Sequence, residues 1–301
     1  MKVASRSSAS TVLVTGASGF TGKHLGAALV RAGHRVVSAE DCGIEFDLTR
    51  RESVFEVIER VAPDYVVHLA AVSFVGHGDA VGFYAVNTVG TTHLLDALVG
   101  ADRPVKRVVI ASSANIYGNA TVEPIAEDTA PMPVNHYAAS KLAMEHMVRS
   151  YAERLPVVMT RPFNYTGAGQ SENFLVSKLV AHFARRSPVV ELGNIDVVRD
   201  FSDVRAVAEA YVRLLAADVP GGVVNLCSGT GRSLRWIIEQ LSELSGHDLK
   251  VKVNPAFVRA SEVHRLVGSP ALMRAALGDL PYQDFRETLR WMLEEAARAP
   301  R

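Results

Sequence analysis

The sequence has almost no cysteine: Cys42 and Cys227 are the only two in 301 residues. Two distant thiols build neither a disulfide framework nor a four-ligand metal site, and their scarcity points to a reducing compartment, the cytoplasm. Net charge is also missing. Thirty-two basic and thirty-two acidic side chains cancel, so no basic field exists to attract nucleic acid or an anionic membrane, and neither is expected as a partner. No apolar run approaches the ~18 residues that a membrane span needs. The first ten residues carry charge but no apolar stretch and read as a frayed tail. Ten histidines are scattered without metal-ligand spacing, so no metal is expected; His68 and His136 read as strand and loop residues. Internal repeats and low-complexity tracts are lacking too.

What is there is an ordinary globular composition, 48% hydrophobic, which supports a large core. Strand-like and helix-like segments alternate: strand Thr11–Val14, helix Lys23–Ala32 closed by Gly33, strand Arg35–Ala39, a short third strand before Asp47, helix Ser53–Val61 and strand Tyr65–Leu69. The alternation continues with helix Asn87–Leu98, strand Arg107–Ala111, helix Tyr137–Glu153 and strand Val157–Thr160. Near-continuous apolar strands between helices predict an α/β fold with a doubly wound parallel sheet. After Arg161 glycine and proline break the rhythm. The chain is therefore expected to hold a dinucleotide-binding domain over 11–165, returning near 199–218, and a smaller interleaved domain over 166–198 and 219–301. Trp236, Trp291 and Phe285 fall in helical stretches and read as core or interface packing.

The stretch TGASGFTG, Thr15 to Gly22, follows the first strand and opens the first helix. There Gly16 permits a tight turn, Gly19 admits a pyrophosphate close to the backbone, Gly22 lets the helix pack on the strand, and the helix N-terminus offers free N–H groups to phosphate. Glu40, about 18 residues beyond Gly22, stands where an acid accepts both hydroxyls of an adenosine ribose and repels a 2′-phosphate, favouring NAD(H). It also reads as a solvated loop acid. Asp47 and Leu48 either edge an adenine pocket or start a helix as an N-cap. Further on, Tyr137-Ala-Ala-Ser-Lys141 stacks a phenol and an ammonium on one helix face. A nearby cation is expected to lower the tyrosine pKa toward neutrality and ready it for proton transfer. Ser112 and Ser113 end a parallel strand, over the crevice where a hydroxyl can hold a carbonyl.

With TGASGFTG, HLAA (68–71), NTVGT (87–91), SSANIYG (112–118), YAASK (137–141) and RPFNYTGAGQ (161–170), the chain resembles an extended short-chain dehydrogenase/reductase from about residue 11 to at least 280. That resemblance implies a Rossmann fold, an NAD(P)H cofactor and roles for matching residues. Tyr137 is the implied acid/base, Lys141 the ligand of the nicotinamide ribose, and Ser113 the hydrogen-bond partner of the reacting oxygen, with Ser112 its rival. The implied cofactor contacts are Gly16, Ser18, Gly19, Phe20, Thr21, Gly22, Glu40, Asp47, Leu48, Leu69, Ala70, Ala71, Tyr137, Lys141 and Arg161. A homodimer through the helices over 87–98 and 137–153 is also implied.

Three stretches, GNIDVVRDFSDVR (193–205), GQSENF (169–174) and 259–268, resemble the GDP-mannose 4,6-dehydratase and GDP-4-keto-6-deoxymannose reductase branch. By that likeness the substrate is a GDP-sugar. Arg199, Arg259 and Glu262 would contact GDP, and Asn164 and Asn173 would lie near the diphosphate. Arginine suits phosphate because its planar fork holds two oxygens and stays charged, although each of these arginines also reads as a salt-bridge residue. Related dehydratases carry a glutamate two positions after the catalytic hydroxyl. Here that place is Asn115, which cannot exchange protons near neutral pH and argues for reduction; it either orients the sugar or makes a structural hydrogen bond. The expected reaction is hydride transfer to the C4 ketone of GDP-4-keto-6-deoxy-D-mannose, giving GDP-D-rhamnose or GDP-6-deoxy-D-talose. The alternatives are a nucleotide-sugar 4-epimerase, a dehydratase, or a non-catalytic NAD(P)-sensing protein on the same fold.

Overall fold

The computed structural model describes residues 9–40, 42–73, 80–257 and 263–298. The strands are β1 (Thr11–Thr15), β2 (Arg35–Ser38), β3 (Tyr65–His68), β4 (Arg107–Ala111), β5 (Val157–Pro162), β6 (Asn164–Thr166), β7 (Val189–Leu192), β8 (Val198–Asp203), β9 (Val223–Leu226), β10 (Gly231–Ser233), β11 (Lys250–Val253) and β12 (Arg265–Leu266). The α-helices are α1 (Phe20–Arg31), α2 (Arg51–Val61), α3 (Ala80–Tyr84), α4 (Thr91–Val99), α5 (His136–Arg149), α6 (Leu175–Ala184), α7 (Val204–Leu214), α8 (Leu234–Ser245), α9 (Ala271–Leu277) and α10 (Phe285–Arg298).

Six parallel strands form the main sheet in the order β2-β1-β3-β4-β5-β9. Their middle residues, such as Val12–Val14, Val66–Val67 and Val108–Ile110, are fully enclosed, as strands covered on both faces must be. One face packs against α1, α7 and α9 through Leu25, Leu29, Tyr211, Leu214 and Met273. The other packs against α2, α4 and α5 through Val54, Ile58, Leu94, Leu98 and Met144. The doubly wound expectation is borne out. The chain reverses direction across the sheet between β1 and β3, and that switch point opens the crevice where such folds take a ligand.

A second core joins α6, α8 and α10 through Leu179, Phe183, Ile237, Leu241 and Leu289. Beside it β8 is flanked by β10 and β12 and also pairs with β6, while β7 pairs with β11. Among the described residues no helix is long and apolar enough to cross a membrane.

Several expected boundaries are corrected. Residues 42–47 form bends and coil, not a third strand, and α1 begins at Phe20, not Lys23. The predicted helix over 87–98 falls on a π-helical stretch, Ala85–Gly90, and α4, and α3 precedes them without a break. At Gly90 a Cβ would lie 2.7 Å from the Cβ of Leu48, so the widened turn seats that leucine in the core. The stretch assigned to the second domain from 219 onward also contributes to the first: β9 is the sixth strand of the main sheet, and α9 packs on the same face as α1.

A buried polar relay ties the sheet together beneath the crevice. The Thr15 hydroxyl accepts from the N–H of Ala70 and bonds to His68 Nδ1 at 2.7 Å; His68 Nε2 reaches the Thr91 hydroxyl at 3.0 Å, and that hydroxyl donates to the carbonyl of Asn87. Because Thr91 donates to Asn87, Nε2 of His68 carries a proton, and in the neutral ring Nδ1 accepts from the Thr15 hydroxyl. Burial, with Lys141 nearby, brings its pKa from 6.5 down to about 3. The folded chain therefore resists a proton that the unfolded chain accepts below pH 6.5. Stability should be complete above that pH and decline toward pH 3, by at most about 1.4 kcal/mol per pH unit from this group. In urea titrations between pH 3 and 7, His68→Gln is expected to be less stable at pH 7 yet flatter toward acid.

Candidate active site

The glycine turn is built as a cradle. Gly16 has φ +72°, and a Cβ there would lie 2.8 Å from the amide nitrogen of Ala70, so both conformation and crowding demand glycine. Gly22 is more confined. A Cβ would lie 2.3 Å from the carbonyl oxygen of Gly16 and 2.6 Å from Ala17, so this glycine fits the helix onto the turn itself, correcting the expected packing on the strand. Gly19 is exposed, but a Cβ there would lie 3.2 Å from the carbonyl oxygen of Gly16, a tight contact with backbone. It is the N-cap of α1 with no side-chain cap, which leaves the first-turn N–H groups without side-chain acceptors. Gly22→Ala is expected to cost about 1–3 kcal/mol and sharply weaken dinucleotide binding. Gly26→Ala, in the same helix with nothing within 4 Å, should stabilise by about 0.5–1 kcal/mol. Thermal melts and a fluorescence titration with NADH separate the two.

Glu40 stands just beyond β2 with its carboxylate on the turn. Oε1 accepts from the N–H of Gly16 at 2.7 Å and Oε2 from the Ser38 hydroxyl at 2.6 Å. Ser18 is exposed beside it, while Thr21 bonds to the hydroxyl of Tyr165 at 2.8 Å, and Phe20 stacks on the same tyrosine. Leu69, Ala70 and Ala71 follow β3 along the crevice, half-buried. Asp47 is not a helix cap: α2 begins after Arg50, and the Asp47 carboxylate accepts from the backbone and hydroxyl of Thr49, which lowers its pKa. Leu48 points into the core, so only its backbone can face a ligand.

The reacting groups converge from β4 and α5. Ser113 caps the 3-10 turn Ala114–Tyr117, accepting from the N–H of Asn115, and its hydroxyl faces the Tyr137 phenol, where it favours the ionised form. Ser112 is buried, and its Oγ has no hydrogen-bond partner among the described residues. Ser113 lies against the phenol, and Ser112 is buried one residue before it. Asn135 caps α5 through the N–H of Ala138 and sets where Tyr137 enters the crevice. A brace holds that helix. The side-chain amide of Asn87 bonds both ways to the backbone of Val72 and donates to the Ser140 hydroxyl, while Thr88 donates to the carbonyl of Ser140.

The electrostatics correct the expected activation. Lys141 is buried and donates from Nζ to the carbonyl of Ala111 at 2.8 Å; burial lowers its pKa to about 8, against the opposing pull of Glu145. Burial pushes the Tyr137 phenol up to about 12, while the Ser113 hydroxyl pulls the other way. The strand carbonyl takes one of the three ammonium N–H groups, and Tyr137 keeps its proton at neutral pH.

Arg161, expected at the cofactor, is corrected too. Its fork grips Glu145 at 2.9 and 2.7 Å, and Nη1 donates to the Tyr117 hydroxyl and the carbonyl of Glu127, all in the core. Asn115 is half-buried without a hydrogen-bond partner for its amide among the described residues; Asn164 and Asn173 are exposed. Arg199 donates to the carbonyls of Val198, Val263 and His264, which places it against the segment that follows Glu262. Arg259 and Glu262 lie outside the described residues. Sequence reasoning gave no role to Asn87, although it had isolated NTVGT, and none to Tyr165. Tyr165 touches the glycine turn from β6 and carries only a partner's signature, with no chemistry of its own in the pattern. Among the described residues no cluster of three metal-ligating side chains exists.

These residues fit a dinucleotide. The uncapped helix N-terminus, the bare turn and the orphaned Ser112 hydroxyl are groups that a phosphate-and-ribose ligand satisfies. The model of the NAD dependent epimerase/dehydratase family matches residues 12–227. The chain is 39% identical over 285 residues to GDP-6-deoxy-D-talose 4-dehydrogenase of Aggregatibacter actinomycetemcomitans, covering 94% of this chain and 96% of that one. It is 35% identical over 295 residues to GDP-6-deoxy-D-mannose reductase of Pseudomonas aeruginosa, with 94% and 96% covered. Its fold matches the structure of RMD from Pseudomonas aeruginosa complexed with NADPH at a TM-score of 0.87 and 33% identity, over 96% of this chain and 99% of that one.

Proposed function

The chain belongs to the NAD dependent epimerase/dehydratase family, whose cofactor is NAD(P), and we propose that within it this protein is a GDP-sugar 4-ketoreductase. Its substrate is GDP-4-keto-6-deoxy-D-mannose and its product GDP-D-rhamnose or the C4 epimer, GDP-6-deoxy-D-talose; the two similar enzymes bear names for these two products. The observation that carries the reading is that Ser113 and Tyr137 face one another across the crevice, with Asn115 beside them. A ketone needs two donors on one oxygen, and the pair supplies them. Dehydration needs a further carboxylic acid, and Asn115 has none.

When bound, the nicotinamide supplies the hydride. Gly16, Gly19 and the first turn of α1 would hold the pyrophosphate, Glu40 the adenosine ribose, and Lys141 the nicotinamide ribose. Tyr137 keeps its proton across neutral pH and gives it to the C4 oxygen as charge develops there, while Ser113 turns its hydroxyl from Tyr137 to that same oxygen. Glu40 at the turn favours NADH, because a 2′-phosphate would meet its carboxylate.

Purified protein mixed with the keto sugar and either NADH or NADPH tests this. Cofactor absorbance should fall, faster with NADH, and the C4 coupling in the product's NMR spectrum identifies the epimer. Unchanged absorbance with both cofactors overturns the reductase reading, and cofactor that copurifies without reduction of the sugar favours epimerisation.

A further inference from the structure

A second cavity, of about 140 Å³, lies where β10 and the start of α7 meet α9 and residues 280–285. It shares no residue with the cofactor crevice or the reacting group. On the sheet β10 lies on one edge of β8, whereas β12, with the segment leading from Glu262, lies on the other. One wall is apolar, formed by Ala206, Val207, Ala210, Leu226 and Met273; the other carries Ser202, Ser228, Thr230 and two arginines, Arg232 and Arg274.

Arg232 is under-used. Both aromatic rings beside it, Trp236 and Phe285, take its charge over their faces at 5.5 and 5.1 Å. Only Nη1 makes hydrogen bonds, at 3.3–3.4 Å to the carbonyls of Phe201 and Thr230 and the hydroxyl of Ser228. No carboxylate pairs with it, and Nε and Nη2 have no partner among the described residues. Arg232 is half-buried, and the carboxylates of Asp200 and Asp284 act on it only through space without forming an ion pair, so Nε and Nη2 remain open to an anion; burial lowers its pKa against the pull of those two carboxylates. Arg274, on the cavity's exposed side, has no ion pair among the described residues either. The carboxylate that lines the cavity, Asp203, is neutralised: Arg205 grips it through Nε and Nη2, and Thr288 donates to it.

We propose that this cavity is a binding site for a small organic anion, a carboxylate or phosphate monoester on an apolar body of about benzene size. The volume sets the size, since a cavity of ~150 Å³ admits benzene, and it excludes a second nucleotide, whose sites run from ~300 Å³ upward. The apolar wall takes the body and Arg232 the head, which two guanidinium N–H groups can bind side by side. Occupancy would stiffen the turn Ser228–Thr230, whose Ser228 and Gly229 N–H groups hold the buried carboxylate of Asp200; that carboxylate also accepts from Gly268, at the end of the segment that follows Glu262.

The test is ligand-observed NMR and thermal melting of the full chain, with NADPH and GDP present to occupy other anion sites. The probes are benzoate, phenyl phosphate and neutral benzyl alcohol. Benzoate or phenyl phosphate should bind with a dissociation constant on the order of 1 mM and raise the melting temperature, and benzyl alcohol should bind at least tenfold more weakly. Arg232→Met should lose the signal. Because that variant also removes aromatic contacts, exposed Arg274→Ala is the second arm, expected to fold normally and bind several-fold more weakly. Absence of binding for both anions overturns the proposal, as does equal binding of benzyl alcohol or unchanged affinity in Arg274→Ala and a folded Arg232→Met. Which anion binds more tightly separates the carboxylate from the phosphate source.

Discussion

Tyr137→Phe is expected to lower kcat for the keto sugar by about 10²–10⁴-fold, with NADH affinity and melting temperature nearly unchanged. The phenol ring packs edge-on against Phe83 and is almost fully buried, contacts that phenylalanine retains; only the hydroxyl that faces Ser113 disappears. Its loss leaves Ser113 with the N–H of Asn115 as a neighbour, so the site does not collapse. The proton, however, has no other source at that oxygen. Its protonated range reaches about 12, so no alkaline loss of activity below pH 10 should trace to Tyr137. Lys141 is different. With a pKa brought down to about 8, it gives up its charge near there, and an alkaline limb near pH 8 that vanishes in Lys141→Met would mark it. Steady-state kinetics across pH 6–10 read both residues; a Tyr137→Phe enzyme with parental kcat would remove the catalytic assignment and favour a sensing protein on the same fold.

The doubly wound sheet was legible because buried parallel strands are written as apolar runs and the glycine turn as a spacing; both are local. The Ser–Tyr–Lys set was legible for the same reason, its helical part being an i, i+4 pattern. What escaped depends on what a side chain meets in three dimensions. Lys141 has the right place on the helix, but the carbonyl of Ala111, 30 positions earlier, decides which way its ammonium points. Arg161 sits in a motif that resembles a cofactor strand, yet Glu145 from α5 claims its fork. Asn87 braces the loop after β3 and helix α5 through partners 15 and 53 positions away, and no single-chain periodicity encodes that. Leu48 is turned inward by the missing side chain at Gly90, an absence readable only once the π-helical stretch is seen.

Arg161→Met should be the most damaging single change to stability outside the glycine turn, at about 3–5 kcal/mol. Glu145 and Arg161 are 0% and 3% exposed and joined by two parallel hydrogen bonds. Removing the cation leaves a carboxylate in the core with no close ion-pair partner among the described residues but Arg149, 3.6 Å away and half-exposed, and with Lys141 acting on it through space. Tyr117 and the carbonyl of Glu127 lose a donor at the same time. Glu145 also lies one turn beyond Lys141 on α5 and opposes the lowering of its pKa. Glu145→Gln should therefore be destabilised and, where it folds, shift the alkaline limb of kcat to lower pH, since the ammonium loses the negative charge that supports it. The double variant Glu145→Leu, Arg161→Met removes both charges with similar volume and is expected to recover most of the lost stability, because desolvating two ions offsets much of what their attraction provides. Urea unfolding of the parent, Glu145→Leu, Arg161→Met and the double variant completes the cycle. A double variant no more stable than Arg161→Met would mean that the hydrogen bonds to Tyr117 and Glu127, not the uncompensated carboxylate, set the cost.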